Sequence, residues 1–147
     1  MNQAIIVDID GVLADCSHRL SLIQQTPKNW PEFHSKCGGD SVNEWAKMFI
    51  KKFWDRHDMK VVLLSARVAE SKEDTKVWLY MNGIPFDELI LRTHGDHRDD
   101  HIFKADVYDN YLKNKYDVLL TVEDRKRVVD MWRSKGLVCL QCVEGNF

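Results

Sequence analysis

Apolar residues fall in short blocks along this chain, and the stretches between them carry a helical rhythm. Residues 3–9 hold the first block, in which Ala4-Ile5-Ile6-Val7 runs into Asp8-Ile9-Asp10-Gly11. The others are Val61-Val62-Leu63-Leu64-Ser65, Leu89-Ile90-Leu91, Val118-Leu119-Leu120-Thr121-Val122 and Leu137 to Cys142. Runs this short, rich in Val, Ile and Leu, read as strands covered on both faces of a parallel sheet. Between them, Val42, Trp45, Ala46, Phe49 and Phe53 fall at helical spacing behind a Ser41/Glu44 capping box, so these five are expected to face a core. A second helix opens at Ser71, takes Val77, Trp78 and Met81 as its apolar stripe, and ends at Gly83 and Pro85. A third starts near Asp100 and carries Ile102, Phe103, Tyr108 and Tyr111; a fourth runs from Arg125 to Lys135 and closes at Gly136. Residues 12–40 show no period and contain Pro27, Pro31, Gly38 and Gly39, which predicts loops with one short helical turn at most and too little chain for a large cap. The alternating order predicts an α/β fold. It is a Rossmann-like three-layer sandwich with a mostly parallel five-stranded sheet, right-handed crossovers and a minimal cap.

The composition changes this picture little. A chain of 147 residues favours one domain, 1–147, around one core. A net charge of −2 gives no global basic field, so contact with a nucleic acid has to be local and non-specific binding weak. The apolar runs are too short to span a bilayer, and the first residues lack the basic-then-apolar pattern of a signal peptide, so a cytoplasmic protein is expected. Cys139 and Cys142 have Cys-x-x-Cys spacing, but in a strand an odd spacing sends them to opposite faces and no second pair completes a zinc site. Free or structural thiols are the expectation, for Cys16 and Cys37 as well.

The chemistry sits at strand ends. In open α/β sheets the carboxyl ends of the strands share one crevice. Strand one delivers Asp8 and Asp10, strand two Ser65 and Arg67, strand four Glu123 and Asp124, and Lys104 stands in the first turn of the helix before strand four. Each has an ordinary reading alone: Ser65 as a turn residue, Lys104 as a solvated charge, Glu123-Asp124 as acids at a helix start. Together on one rim they look like a metal-dependent phosphate site. A magnesium ion takes about two carboxylates plus phosphate and water oxygens, while cations and hydroxyls hold the remaining phosphate oxygens.

That ordered set, Asp8-x-Asp10-Gly11, Ser65, Lys104 and Glu123-Asp124, resembles the four motifs of the haloacid dehalogenase superfamily of phosphohydrolases. The longer stretches Asp8 to Arg19, Ser65-Ala66-Arg67, Asp96-x-Arg98-x-Asp100, and Glu123-Asp124-Arg125 through Met131-Trp132-Arg133 are similar to the phosphatase domains of phage-type polynucleotide kinase-phosphatases, as is the ending Gly136 to Phe147. Val12 departs from the Thr that many members carry, which removes one hydroxyl contact. No Gly-x-x-x-x-Gly-Lys-Ser/Thr loop is present, so only the phosphatase half of such an enzyme is expected.

The resemblance implies a phosphoric monoester hydrolase with Mg²⁺ as cofactor. Asp8 is then the nucleophile that becomes an aspartyl-phosphate, and Asp10 the general acid and base. For the acid role Asp10 has to be protonated, and the neighbouring charge of Asp8 is expected to raise its pKa. Ser65 and Lys104 would hold the transferring phosphoryl group. The metal would be held by Asp8, the Asp10 backbone carbonyl and Asp124, with Glu123 behind or alternating. The family resemblance also implies that Arg19 and Arg67 grip substrate and that Asp100 orients a basic group. The implied substrate is a DNA or RNA 3′ end or a nucleotide carrying a 3′-phosphate, met by local basic residues (Arg19, Arg67, Arg92, Arg98, Arg125), in a bacterial or phage-infected cytoplasm. Alternatives stay open: a 5′- or 3′-mononucleotidase, or a non-catalytic binding domain on the same fold, and a homo-oligomer. His94 to His101 packs three His and three Asp into one loop, which reads as a solvated turn before it reads as a zinc or second-metal site. Most of the five tryptophans read as core; Trp30, between Asn29 and Pro31, is the candidate to meet a base or a neighbouring subunit.

Overall fold

The computed structural model describes residues 1–145; Asn146 and Phe147, the end of the Gly136–Phe147 stretch, lie outside the described residues. In chain order the elements are β1 (Asn2–Val7), β2 (Ala14–Asp15), α1 (Ser21–Gln24), α2 (Trp30–Ser35), β3 (Ser41–Val42), α3 (Glu44–Trp54), β4 (Met59–Leu64), α4 (Lys72–Met81) and β5 (Glu88–Ile90). There follow α5 (Asp100–Val107), a π-helical turn over Tyr108–Leu112, α6 (Lys113–Lys115), β6 (Tyr116–Arg125), α7 (Lys126–Ser134) and β7 (Cys139–Gly145). Five strands form one sheet in the order β5-β4-β1-β6-β7, every pair parallel. The α/β sandwich with a five-stranded parallel sheet is thus the observed architecture.

β1 is central because its apolar residues serve both faces. Ile5 and Val7 point into a cluster with Ala46, Ile50, Trp78 and Leu79 from α3 and α4. Ala4 and Ile6 point the other way, against Phe103, Val128, Val129 and Trp132 from α5 and α7. Alternation along the strand splits one apolar run into two cores, and each fully buried Val, Leu or Ile contributes about 1.5–3 kcal/mol of transfer free energy. Cys139 falls in the second cluster while Cys142 packs against the first, as their odd spacing requires, and the four cysteines are free thiols. No helix among the described residues is long and apolar enough to cross a membrane.

Four local readings are corrected. Ser41 does not cap a helix: Ser41 and Val42 pair antiparallel with Asp15 and Ala14, and α3 begins only at Glu44. Asn43 takes the entry position, and its backbone N–H donates to Leu13 O (2.8 Å) and its side chain to Val12 O (2.7 Å). Pairing with the loop after β1 outcompeted the capping box. Trp45 is in consequence 44% exposed, while Ala46 and Ile50 fill the core. On α4, Val77 and Met81 face solvent, and the inward stripe is Thr75, Trp78 and Leu79. The Trp78 indole donates to Asp40 O at 2.7 Å, which sets the helix face. On the third helix Phe103 is buried but Ile102 and Tyr111 lie exposed. Residues 12–40 carry more structure than their composition predicts, because Phe33 and Cys37 are buried and anchor the short helices around Arg19.

Candidate active site

The site forms where β1, β4 and β6 end. Asp8 continues the β1 ladder, its N–H donating to Val122 O (3.1 Å). β6 runs on past its apolar block to Arg125, so Glu123 and Asp124 stay extended beside Asp8. The chain turns away from β1 at Gly11, where φ is +81°. A Cβ there would lie 2.0 Å from Asp124 Oδ2. Gly11 is therefore required twice, by its backbone angle and by the carboxylate packed on its bare Cα.

Asp8, Glu123 and Asp124, all buried, bring ligand oxygens within 4.8 Å of one another. One cation answers them directly: Lys104 Nζ donates to Asp8 Oδ1 (3.0 Å) and Glu123 Oε1 (2.8 Å). The Trp132 indole, read from sequence only as core, also donates to Glu123 Oε1 (3.2 Å). Three carboxylates against one ammonium leave two negative charges uncompensated. Burial raises the pKa of Asp8, Glu123 and Asp124, the last to about 8, and repulsion adds to it, from Asp10 at Asp8 and from Asp8 at the other two. Lys104 is shifted upward, because the attraction of Asp8 and Glu123 outweighs its burial. Glu123 Oε2 and Asp124 Oδ1 are buried without a hydrogen-bond partner. Orphaned carboxylate oxygens around a surplus of about two charges fit a hard divalent cation such as Mg²⁺. Among the described residues this is the only such cluster, and the His and Asp side chains of the His94–His101 loop do not converge in this way.

Asp10 belongs to a different environment. Its Oδ1 accepts from Arg19 Nη2 (2.6 Å), Arg67 Nη2 (2.7 Å) and Arg67 Nε (3.1 Å), while Oδ2 has one long bond to Arg67 Nε (3.3 Å). Burial alone would raise its pKa, but the Arg67 and Arg19 guanidiniums outweigh burial and hold it at about 2. The expected upward shift from Asp8 is therefore corrected: two full charges in contact outweigh one at a distance. The Asp10 side chain faces these arginines. Arg19 and Arg67 are fully buried and held from behind by Asp40, which accepts from Arg19 Nε (2.8 Å), Arg19 Nη2 (2.6 Å) and Arg67 Nη2 (3.2 Å). Arg67 Nη1 also donates to Thr75 (2.9 Å). Asp40 was missed in the sequence. It follows Gly38-Gly39 like any turn aspartate, and no spacing along the chain ties it to Arg19 or Arg67.

Ser65 is buried at the end of β4, its N–H donating to Ile90 O and its Oγ accepting from Arg67 N–H (3.2 Å). Asp100 heads α5, and its Oδ2 accepts from Arg125 Nη1 (2.7 Å). Asp8, Asp10, Ser65, Lys104, Glu123 and Asp124 all line one cleft of about 1210 Å³. Trp30, Phe33, Arg92, Arg98 and Arg127 line the same cleft.

Residues 2–147 match the family model described as the polynucleotide kinase PNKP phosphatase domain. A putative bifunctional polynucleotide kinase/RNA ligase of Autographa californica nuclear polyhedrosis virus is 26% identical over 133 residues, covering 89% of this chain and 18% of that protein. Among solved structures, a chain of a Pnkp1/Rnl/Hen1 complex superposes with a TM-score of 0.84 at 32% identity, over 100% of this chain and 48% of that one. A class C acid phosphatase from Bacillus anthracis, at 17% identity and TM-score 0.65 over 86% of this chain and 53% of that one, shares the fold. The chain thus spans under half the length of that matched chain and under a fifth of the viral protein. A family model covering nearly every residue, on a sheet whose strand ends gather these acids, makes this chain a member of the PNKP phosphatase domains, phosphoric monoester hydrolases of the haloacid dehalogenase type.

Proposed function

We propose that the chain is a Mg²⁺-dependent phosphomonoesterase that works through a phosphorylated Asp8 and removes 3′-phosphates from polynucleotide ends. The observation that carries this reading is the meeting of Asp8, Glu123 and Asp124 around two orphaned oxygens, beside Lys104 and at the mouth of an open cleft. Mg²⁺ would be held by Asp8 and Asp124 with Glu123 beside them, and when bound it supplies positive charge for a phosphoryl group and keeps Asp8 ionised.

An Asp8 oxygen attacks phosphorus, and the bond from phosphorus to the sugar oxygen breaks. Lys104, with the Ser65 hydroxyl, offsets the charge on the phosphoryl oxygens. Asp10 lies one turn of chain away, with Oδ2 the less committed oxygen. Being ionised at rest, it is suited first to take a proton from the water that hydrolyses the aspartyl-phosphate. The proton for the leaving sugar oxygen arrives with the substrate: a phosphomonoester has a second pKa near 6, so its monoanion carries a proton that passes to the sugar oxygen as the bond to phosphorus breaks. Arg19 and Arg67 then act from behind, by fixing Asp10, and Asp100 by holding Arg125.

Polynucleotide ends are favoured over free mononucleotides because the cleft is wide and has no large cap; a polymer can cover it itself. The family and the names of its relatives point the same way. The test is phosphate release, with Mg²⁺, from 3′-phosphorylated oligonucleotides against 3′- and 5′-mononucleotides. The oligonucleotide is expected to be preferred by tenfold or more in kcat/KM (order of magnitude, about 1.4 kcal/mol). Equal or better turnover of mononucleotides would make the chain a nucleotidase.

A further inference from the structure

We propose that Trp30, backed by His34, forms a stacking subsite for the terminal nucleobase of the substrate, with Lys28 meeting the flanking backbone phosphate; this rests on the 3′-phosphatase reading above. The cleft that holds the carboxylates is also lined by apolar side chains, Leu20, Ile23, Trp30 and Phe33 among them. Trp30 is 39% exposed there, although Phe33 three residues on is buried. Its ring stacks on His34 (centroids 5.9 Å apart, 24° between planes) and meets Phe33 edge-on (5.5 Å, 87°). Lys28 Nζ stands 5.7 Å from the Trp30 ring. His34 is pushed below its ordinary pKa by burial and by Arg19, Arg67 and Arg92, so the supporting ring is neutral.

This lining is coupled rigidly to the reacting groups. The Arg19 guanidinium lies 4.2 Å over the Phe33 ring, and its Nη1 donates to Phe33 O (3.1 Å). Its Nη2 holds Asp10 at 2.6 Å. One side chain therefore spaces the aromatic wall from the carboxylate that would handle the proton. Charge alone does not hold a nucleobase. The whole chain is acidic, and Arg98 in the cleft lining is paired with Asp96 (2.8 Å) and Asp106 (3.3 Å). An aromatic face accepts every base and needs no charge. The ring lies inside the cleft that holds Asp8, where a protein partner would close the site and a nucleotide completes it.

The test compares kcat/KM on a 3′-phosphorylated trinucleotide and on the same molecule with an abasic terminal residue, with Mg²⁺ present. In Trp30→Ala the preference for the base-bearing substrate is expected to fall about 5- to 150-fold, through KM more than kcat. Trp30→Phe, which keeps an aromatic face and guards against a folding defect, retains most of it. Trp54→Ala, at an equally exposed tryptophan on α3, leaves it unchanged. An unaltered preference in Trp30→Ala overturns the subsite. If the wild type hydrolyses neither substrate, the phosphatase reading falls separately. Equilibrium binding of the two oligonucleotides to Asp8→Asn then judges the subsite: a Trp30-dependent preference for the base-bearing one upholds it, and equal binding overturns it.

Discussion

Asp8 and Asp10 are one residue apart and sit in opposite fields. Asp8 shares its surroundings with Glu123 and Asp124 and has one ammonium for the three of them. Asp10 shares its surroundings with Asp40 and has two guanidiniums for the pair. The first group is short of positive charge and has orphaned oxygens; the second is balanced and hydrogen-bonded almost throughout. An incomplete cluster is a place for an ion and for chemistry. A balanced one is a support that holds a side chain still. The difference arises from the chain's path: β1 ends at Val7, the chain turns on through Gly11, and Asp10 faces Arg19, just before α1, and Arg67, just after β4.

The contrast is tested most severely at Asp8. Asp8→Asn should lower phosphomonoester turnover by about 10⁴-fold or more while the fold persists, since the change removes one of three crowded charges. Wild-type turnover in this variant would end the nucleophile assignment. Next is Asp40→Ala, which strips the support from Arg19 and Arg67. Removing one partner of a buried ionic group costs about 3–5 kcal/mol, read in urea unfolding. A loss under about 1 kcal/mol would mean the arginine cluster is not balanced in the way described. Gly11→Ala should come third, weakening Mg²⁺ binding about 10- to 100-fold by pushing Asp124 aside. A calorimetric Mg²⁺ titration matching wild type would remove Asp124 from the ligand set.

The smallest effect is the most diagnostic, because the two groups have opposite signs. Asp124 titrates at about 8 when folded against an ordinary 3.8, so metal-free protein binds more protons folded than unfolded and loses stability as pH rises across that window. Asp10, at about 2 against 3.8, contributes stability that is present above about pH 4 and lost below it. Mg²⁺ competes with protons for the first group alone. It should raise the melting temperature by a few degrees at pH 8 and much less at pH 5. A magnesium shift independent of pH would place the ion elsewhere.

Much of this was legible in the residues. A short Val/Ile block must pair on both sides, parallel strands need helical crossovers, and the carboxyl ends must then share a rim, which is why the sequence alone places Asp8, Ser65, Lys104, Glu123 and Asp124 together. The misplaced positions were those where several helical faces were apolar enough to serve. Val77 and Met81 fit a stripe as well as Thr75 and Leu79 do, and only the Trp78 bond to Asp40 O chose between them.

Local pattern therefore determined which elements form, their order and the end of the sheet that carries the acids, because backbone pairing and amphipathic periodicity act over a few residues. Only the tertiary structure decided which charges face which. Asp40 reaches Arg19 across 21 residues and Arg67 across 27, Arg67 reaches Asp10 across 57, and Lys104 reaches Asp8 across 96. Electrostatic environment depends on separation in space and on burial, and neither is written in the spacing of residues along a chain.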